Sequence, residues 1–267
     1  MIVIKIGGSV VDGLHESTIP DLKDVISHAK VIVVHGGGKE VTSIAEKLGK
    51  EQKFIVSPGG IRSRYTDRET AKIYTMVMSG KINKEIVMML QKQGINAVGL
   101  AGIDGGIIRA ERKKKLIIVD ERGRKVAIDG GYTGKINSVN ASLLNTITTG
   151  GYVPIVSPVA LSEKFDLLNV DGDRAAAYVA GGIKADSVIF LTDVNGLLIN
   201  DKLVTHMSVS EAKKMLPKIG FGMEKKVLAC TEAVSMGVKE AIISSGKIDN
   251  PISSALRHDN CTVISGE

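Results

Sequence analysis

Residues 2–9 read IVIKIGGS, and residues 31–40 read VIVVHGGGKE. Each is a run rich in Val and Ile that ends in consecutive glycines, and the second leads into a helical pattern. Neither run alternates apolar with polar residues, so both fit strands covered on two faces, as in a parallel sheet between layers of helices. Glycines at the carboxyl end of such a strand let backbone N–H groups come close to an anion, and the dipole of a following helix adds attraction. Taken singly, each segment also reads as a tight structural turn. Taken together, with Lys5 in the first, they fit a crevice for phosphates at the ends of parallel strands. Neither matches a Walker A sequence or G-x-G-x-x-G.

The alternation continues to the end of the chain. Strands are predicted at Ile2–Ile6, Val31–His35, Ala97–Ala101, Val153–Ser157, Ser187–Thr192 and Glu240–Ile243. Helical patterns lie between them, including Glu40–Leu48, Ala141–Thr149 and Asp173–Ala180, the last ending at Gly181. The longest helix is expected from Asp67 to Gln93, opened by a Thr66–Glu69 capping box, with Ile73, Met76, Val77, Ile86, Met89 and Leu90 as its apolar stripe. Gly80 inside it implies close approach by another element, and the stripe suits either the core or a dimer contact. Two hairpins interrupt the pattern, one within residues 114–128 around Glu121-Arg122-Gly123 and one turning at Asn200-Asp201. Ser208 and Glu211 form a second capping box. This is the order of an α/β protein with a largely parallel sheet.

Composition narrows the function. The chain has 267 residues, a formal charge of +6, no tryptophan and few other aromatics, which argues against a stacking platform for nucleic acid. Arg109 to Lys125 holds eight Lys/Arg against three acids, a local surplus that suits either a solvated face or an acidic partner. The two cysteines, Cys230 and Cys261, make no disulfide framework. Apolar runs are too short for a membrane span, and the first residues read as a strand rather than a signal peptide. A cytoplasmic protein is expected, with no membrane or nucleic-acid partner.

Four further stretches carry chemistry. PGGIRSRYTDRE (58–69) sets three arginines and a tyrosine between a glycine turn and a helix start. LNVDGDRAAA (168–177) places Asn169 and Asp171 in a turn and Asp173 at a helix start, either as a cap or as a holder of lysine ammonium groups. LTDVNGLL (191–198) runs a strand into Thr192, Asp193 and Gly196. GFGMEKKVLA (220–229) puts Lys225 and Lys226 in a first helical turn, where cations oppose the dipole and a bound phosphate would compensate. H-E-x-x-H, C-x-x-C and G-x-S-x-G are absent, and His35 reads as a satisfied strand-end histidine.

In this order KIGG (5–8), HGGG (35–38), NVDGD (169–173), TDVNG (192–196) and GFGMEKK (220–226) resemble the amino acid kinase family over essentially the whole chain. Within it the chain looks most like the acetylglutamate kinase branch. GGIRSRYTD (59–67), AERKK (110–114) and GGYTGK (130–135) look like the archaeal LysZ type, which phosphorylates glutamate or α-aminoadipate linked to LysW, a small acidic carrier protein. The resemblance implies a three-layer αβα sandwich around a mostly parallel sheet. It assigns residues 1–160 to an acceptor-binding lobe and 161–267 to an ATP-binding lobe, and implies a homodimer through the long helix.

It further implies transfer of the γ-phosphoryl group of ATP, brought with Mg2+, to a side-chain carboxylate. Lys5 and Lys226 would stabilise the transferring group and the leaving side, with Lys225 a competitor for the second role. Asp173 would orient both lysines. Gly7 and Gly8 would cradle phosphates, Gly37 and Gly38 would line the acceptor side, and Thr192, Asp193 and Gly196 would border the nucleotide. Asn169 and Arg62 would bind the acceptor, Arg62 through its α-carboxylate, while Arg64 and Tyr65 would face what the carrier adds. The alternative for Arg64 and Arg68 is solvent exposure at a helix start. A kinase of free N-acetylglutamate shares nearly every motif but leaves the basic hairpin without a partner. A catalytically silent nucleotide-responsive protein is the alternative from another class.

Overall fold

The computed structural model describes residues 1–8, 15–220 and 222–266; Ser9 and Phe221, quoted within two motifs, lie outside the described residues. An eight-stranded sheet forms the centre. Its strands are β1 (Ile2–Ile6), β2 (Val31–His35), β3 (Ala97–Ala101), β4 (Val153–Ser157), β5 (Ser187–Thr192), β6 (His206–Ser208), β7 (Glu240–Ser245) and β8 (Thr262–Ser265). They lie in the order β6-β8-β7-β5-β1-β2-β4-β3. Every neighbouring pair is parallel except β7 with β8. The six predicted strands are all present. β7 runs two residues past its expected end because Ser244 and Ser245 pair with Leu191 and Thr192. β6 and β8, too short to stand out in the sequence, complete one edge.

The central strands are buried on both faces, and their side chains alternate between two cores. Val3, Val34, Val156, Val188 and Phe190 face one side. Ile4, Val33, Ile155, Ile189 and Leu191 face the other. The second side is covered by α1 (Thr18–His28), α2 (Gly38–Lys47), α3 (Arg68–Thr75) with α4 (Asn83–Lys92), and α9 (Pro251–Leu256); the first by α5 (Ala141–Thr149), α6 (Gly172–Ile183), α7 (Val209–Met215) and α8 (Met223–Ser235). The fold is a three-layer αβα sandwich.

Several local expectations change. The long helix is continuous from Arg68 to Lys92, but Met76–Ile82 forms a π-helical segment between α3 and α4. A π turn adds one residue to the α-helical count, rotating the rest of the helix by about 100°. The apolar face shifts accordingly: Met78 and Ile82 are buried while Met76 is 56% exposed. Gly80 sits in that segment with open space where a Cβ would go, so no element among the described residues approaches it. The N-cap is Asp67, accepting from the Thr70 N–H, rather than Thr66 with Glu69. α6 continues through Gly181 to Ile183; that glycine packs against Met236 instead of ending the helix, and Lys184 in the left-handed region at φ 54 does so. Asn200 and Asp201, both at positive φ, turn the Leu198–Ile199/Lys202–Leu203 hairpin, and Ser208 with Glu211 makes the predicted capping box.

Smaller β elements stand at the strand ends. Leu167–Asn169, Val159–Leu161, Ile108–Arg112 and Gly134–Val139 form a four-stranded sheet. Phe54–Val56 pairs with Arg62–Arg64 in an arginine hairpin. Lys115–Val119 pairs with Lys125–Asp129 in the basic hairpin.

The helices α6 and α8 are joined by a two-pronged ion pair, in which Arg174 donates from Nε to Glu232 Oε2 at 2.9 Å and from Nη2 to Oε1. Both side chains are largely shielded, at 28% and 22% exposure, which strengthens the pair beyond an ordinary surface contact. Glu232→Gln is expected to lower unfolding free energy by about 1–3 kcal/mol, because it leaves a sheltered guanidinium without its counter-charge. A urea titration measures this directly, and an unchanged midpoint would refute it.

Candidate active site

Period-two alternation puts Lys5 on the same face of β1 as Val3, toward α6 and α8. α6 opens at Asp171, whose carboxylate accepts from the Asp173 and Arg174 N–H groups at 3.0 and 3.1 Å. Asp171 is therefore the cap, and Asn169 ends the strand Leu167–Asn169 rather than lying in a turn. Asp173, freed from capping, turns its carboxylate to the sheet. Lys5 Nζ lies 2.7 Å from its Oδ1 and Lys226 Nζ 3.1 Å from its Oδ2. The Lys226 contact is a directed hydrogen bond, whereas the Lys5 ammonium meets Oδ1 without hydrogen-bond geometry. Burial pushes the Asp173 carboxyl up, but the two ammonium groups outweigh it and hold the group at about 2. Burial likewise opposes the charge on Lys226, and Asp173 keeps it above the usual lysine range. The three side chains carry one net positive charge almost out of water, an arrangement suited to an anion. Lys225 points elsewhere, donating to the Arg62 carbonyl at 2.6 Å. Lys226 is thus the lysine that meets Asp173, while Lys225 reaches toward the arginine hairpin.

The two glycine turns meet beside this triad. β1 and β2 are in parallel register with Ile6 opposite His35, so their ends coincide. A Cβ at Gly8 would lie 2.7 Å from the Gly37 nitrogen, closer than atoms pack. Gly37 has φ 155, and a Cβ there would lie 2.1 Å from Ile82 Cδ1. Only glycine fits at either position. Gly7 donates to Leu191 O at 3.3 Å, tying the turn to β5.

A cavity of about 310 Å³ opens on these groups, lined by Lys5, Gly8, Gly37, Gly38, Arg62, Arg64, Asn169 and Asp173. An adjoining cavity of about 340 Å³ shares Arg64, Asn169 and Lys225 and runs between the two hairpins, past Ile55, Ile61, Leu116 and Ile117. Lys225 lines both cavities, whereas Gly7, Tyr65, Thr192, Asp193, Gly196 and Lys226 line neither. Thr192 donates to Asp193 Oδ1 at 3.1 Å at the end of β5, and Gly196 packs against Thr262. Tyr65 donates its backbone N–H to Lys53 O at 2.9 Å.

The arginines of the hairpin behave differently from one another. Arg62 is exposed and stacks over Phe54 at 4.0 Å, an aromatic platform that keeps its fork extended at the cavity wall. Arg64 is half-buried and neither solvent-facing nor wholly free. It donates to Gly38 O at 2.7 Å, Thr42 Oγ1 at 2.9 Å and Gln52 Oε1, pinning the hairpin to the start of α2. Asn169 Nδ2 donates to Thr66 Oγ1 at 2.9 Å, which orients its amide. Sequence reasoning missed Phe54, Tyr74 and Met78 on the wall and Asn83 behind it; a phenylalanine paired across a hairpin from Arg64 is the one signal that was available for Phe54.

His35 is fully buried. Its Nδ1 bonds the Gly36 carbonyl at 3.0 Å, and its Nε2 bonds Asn83 Nδ2 at 3.2 Å. Burial lowers its pKa to about 4, with the Lys5 and Lys84 charges acting the same way against the Gly36 bond.

The family description "Amino acid kinase family" matches residues 1–245. A relative from Nitrosopumilus maritimus, provisionally named LysW-aminoadipate/LysW-glutamate kinase, is 63% identical over 267 residues, covering both chains entirely. A protein of Saccharolobus islandicus named LysW-aminoadipate/LysW-glutamate kinase is 44% identical, again over the whole of both chains. Among solved structures, a Streptococcus mutans protein superposes with a TM-score of 0.80 at 21% identity, covering 100% of this chain and 98% of that one. Giardia lamblia carbamate kinase bound to AMP-PNP gives 0.68 at 15% identity with 100% and 98% coverage. These two likenesses concern the fold alone.

The histidine makes a pH prediction. Its folded pKa lies below the ordinary 6.5, so between about pH 6.5 and 4 the unfolded chain binds the extra proton and stability falls with pH. The loss should approach about 3 kcal/mol near pH 4. Urea midpoints at pH 7 and 4.5 should show wild type losing about 2–3 kcal/mol more than His35→Asn; equal losses would contradict a buried neutral imidazole.

Proposed function

This chain belongs to the amino acid kinase family, and we propose that it transfers the γ-phosphoryl group of ATP to the side-chain carboxylate of α-aminoadipate or glutamate carried on LysW. The product is an acyl phosphate of lysine or arginine biosynthesis. The observation that carries this reading is the buried Lys5–Asp173–Lys226 contact beside paired glycine turns. The kinase names of relatives matched along their full length support the acceptor and its carrier.

A carboxylate is ionised at neutral pH, so the acceptor oxygen attacks phosphorus without a general base, and the bond from the γ-phosphorus to the bridging oxygen breaks. The site must align three groups and balance charge on the moving phosphoryl. In this reading Lys5 and Lys226 supply that charge from opposite sides, Asp173 fixes their separation, and Gly7 and Gly8 hold phosphate oxygens. Thr192, Asp193 and Gly196 border the nucleotide in the 161–267 lobe. Gly37, Gly38 and Arg62 receive the acceptor in the 1–160 lobe, joined by Asn169 from the start of the other lobe, with Arg64 and Tyr65 toward the carrier side. Among the described residues no three His, Cys, Asp or Glu side chains converge as a metal cage. In this reading Mg2+ would arrive with the nucleotide, held mainly by the phosphates and water.

The basic hairpin supports an acidic carrier, since Lys115, Arg122 and Lys125 stand exposed along it. The long helix exposes Met76 and Met88, which supports a homodimer through that face. Among the described residues no helix is long and apolar enough to cross a membrane; a cytoplasmic enzyme is part of the reading.

ADP release should be measured with carrier-linked aminoadipate, carrier-linked glutamate and free N-acetylglutamate. Fast turnover of the linked acceptors that slows with added salt is expected; salt-independent turnover of only the free compound would remove the carrier. Lys5→Met and Lys226→Met should each lower kcat by roughly 10²-fold or more, and wild-type turnover in either would overturn the lysine assignment.

A further inference from the structure

The groove formed by Gly36 and Gly37 has a support that phosphoryl transfer does not itself use. His35 and Asn83 are both fully shielded from solvent, one at the end of β2 and the other where the π segment gives way to α4. A carbonyl oxygen carries no hydrogen, so the 3.0 Å contact with Gly36 O fixes the imidazole proton on Nδ1. Nε2 is then the acceptor for the Asn83 amide at 3.2 Å. Asn83 cannot reverse that amide, because Lys84 Nζ donates to its Oδ1 at 3.1 Å and its Nδ2 also donates to Ile155 O at 2.8 Å. The ring is held at both nitrogens.

Peptide planarity carries this restraint to the next residue. In a trans peptide the carbonyl and the next N–H point in opposite directions. With the Gly36 carbonyl drawn toward His35, the Gly37 N–H is turned away from it. Among the described residues that N–H has no acceptor in the chain, and Gly36, Gly37 and Gly38 all lie on the wall shared with Lys5 and Asp173.

We propose that His35 and Asn83 are positioning residues that aim the Gly37 N–H into the phosphoryl site, the neutral ring acting as a fixed strut between the Gly36 carbonyl and the long helix. The π turn has a role in this. Ile82 and Met78 fill the space beside Gly37, and Asn83, the next residue, reaches His35. One α-helical turn without the added residue would rotate Asn83 about 100° off the ring. Burial keeps the imidazole uncharged down to a pH of about 4, so the strut does not switch in the ordinary range.

This inference rests on the kinase reading, and the test separates the two. Asparagine places a donor where Nδ1 stands and keeps the Gly36 bond, whereas glutamine reaches only the Nε2 position and keeps the Asn83 bond. Full-length wild type, His35→Asn and His35→Gln would be compared by ADP release with MgATP and LysW-linked aminoadipate, their folding checked by thermal melting. His35→Gln should lose roughly 10- to 100-fold in kcat, as a misaimed donor does, with KM for ATP within about twofold. His35→Asn, which keeps the Gly36 bond but gives up the Asn83 anchor, should fall between wild type and His35→Gln, with kcat at least about threefold above that of His35→Gln. Equal kcat in the two variants, high or low, would overturn the strut, because ring volume or burial would then explain everything. Should His35→Gln fail to fold, His35→Leu, with a donor at neither position, replaces it under the same criterion. A wild type that releases no ADP with any acceptor would instead bring down the kinase reading, and this role with it.

Discussion

Two ammonium groups sharing one shielded carboxylate are the constraint around which this molecule is arranged. Lys5 and Lys226 would repel each other across the end of the sheet, and neither would stay charged out of water alone. Asp173 makes both tolerable and leaves one positive charge over. That surplus costs folding stability on its own terms. It is retained in a place where backbone N–H groups and a cavity converge, which is how a protein prepares to receive a highly charged anion rather than how it stabilises itself.

Each element of the fold contributes to that contact. The pleat of β1 sends Lys5 to one face and the isoleucines to the other. Asp171 caps α6 and so releases Asp173 from the role an acid at a helix start usually performs. The Arg174–Glu232 pair fixes α6 against α8, and with it the spacing between Asp173 and Lys226. On the opposite face the π segment fills the space beside Gly37 and brings Asn83 under His35. The two layers of helices thus act on the same strand ends from opposite sides.

Much of this was legible in the residue order. The continuous Val/Ile runs gave the central strands, because a strand buried on two faces cannot alternate. Glycines after Ile6 and His35 marked the turns, because backbone packed against backbone leaves no room for a Cβ. The errors are equally physical. Thr66 with Glu69 was a plausible cap, and which of several neighbouring oxygens meets a free N–H depends on a chain direction that no motif records. Gly181 looked like a helix end, but its bare surface serves close packing against Met236. Arg64 was read as facing the carrier; it lines both cavities, and what the residue order did not record is that it also donates to Gly38, Thr42 and Gln52.

By itself, the sequence determined the layered α/β architecture, the glycine turns and the cast of charged residues, since these arise from periodicity and from chemistry local to a few neighbours. Only the tertiary structure decided that Lys226 rather than Lys225 meets Asp173, that the helix after the arginine hairpin carries a π turn, and that His35 leans on Asn83. The two pairings join residues 53 and 48 positions apart, and a difference of one helical step of about 100° separates one partner from another. Composition and spacing do not encode an angle of that kind; packing does.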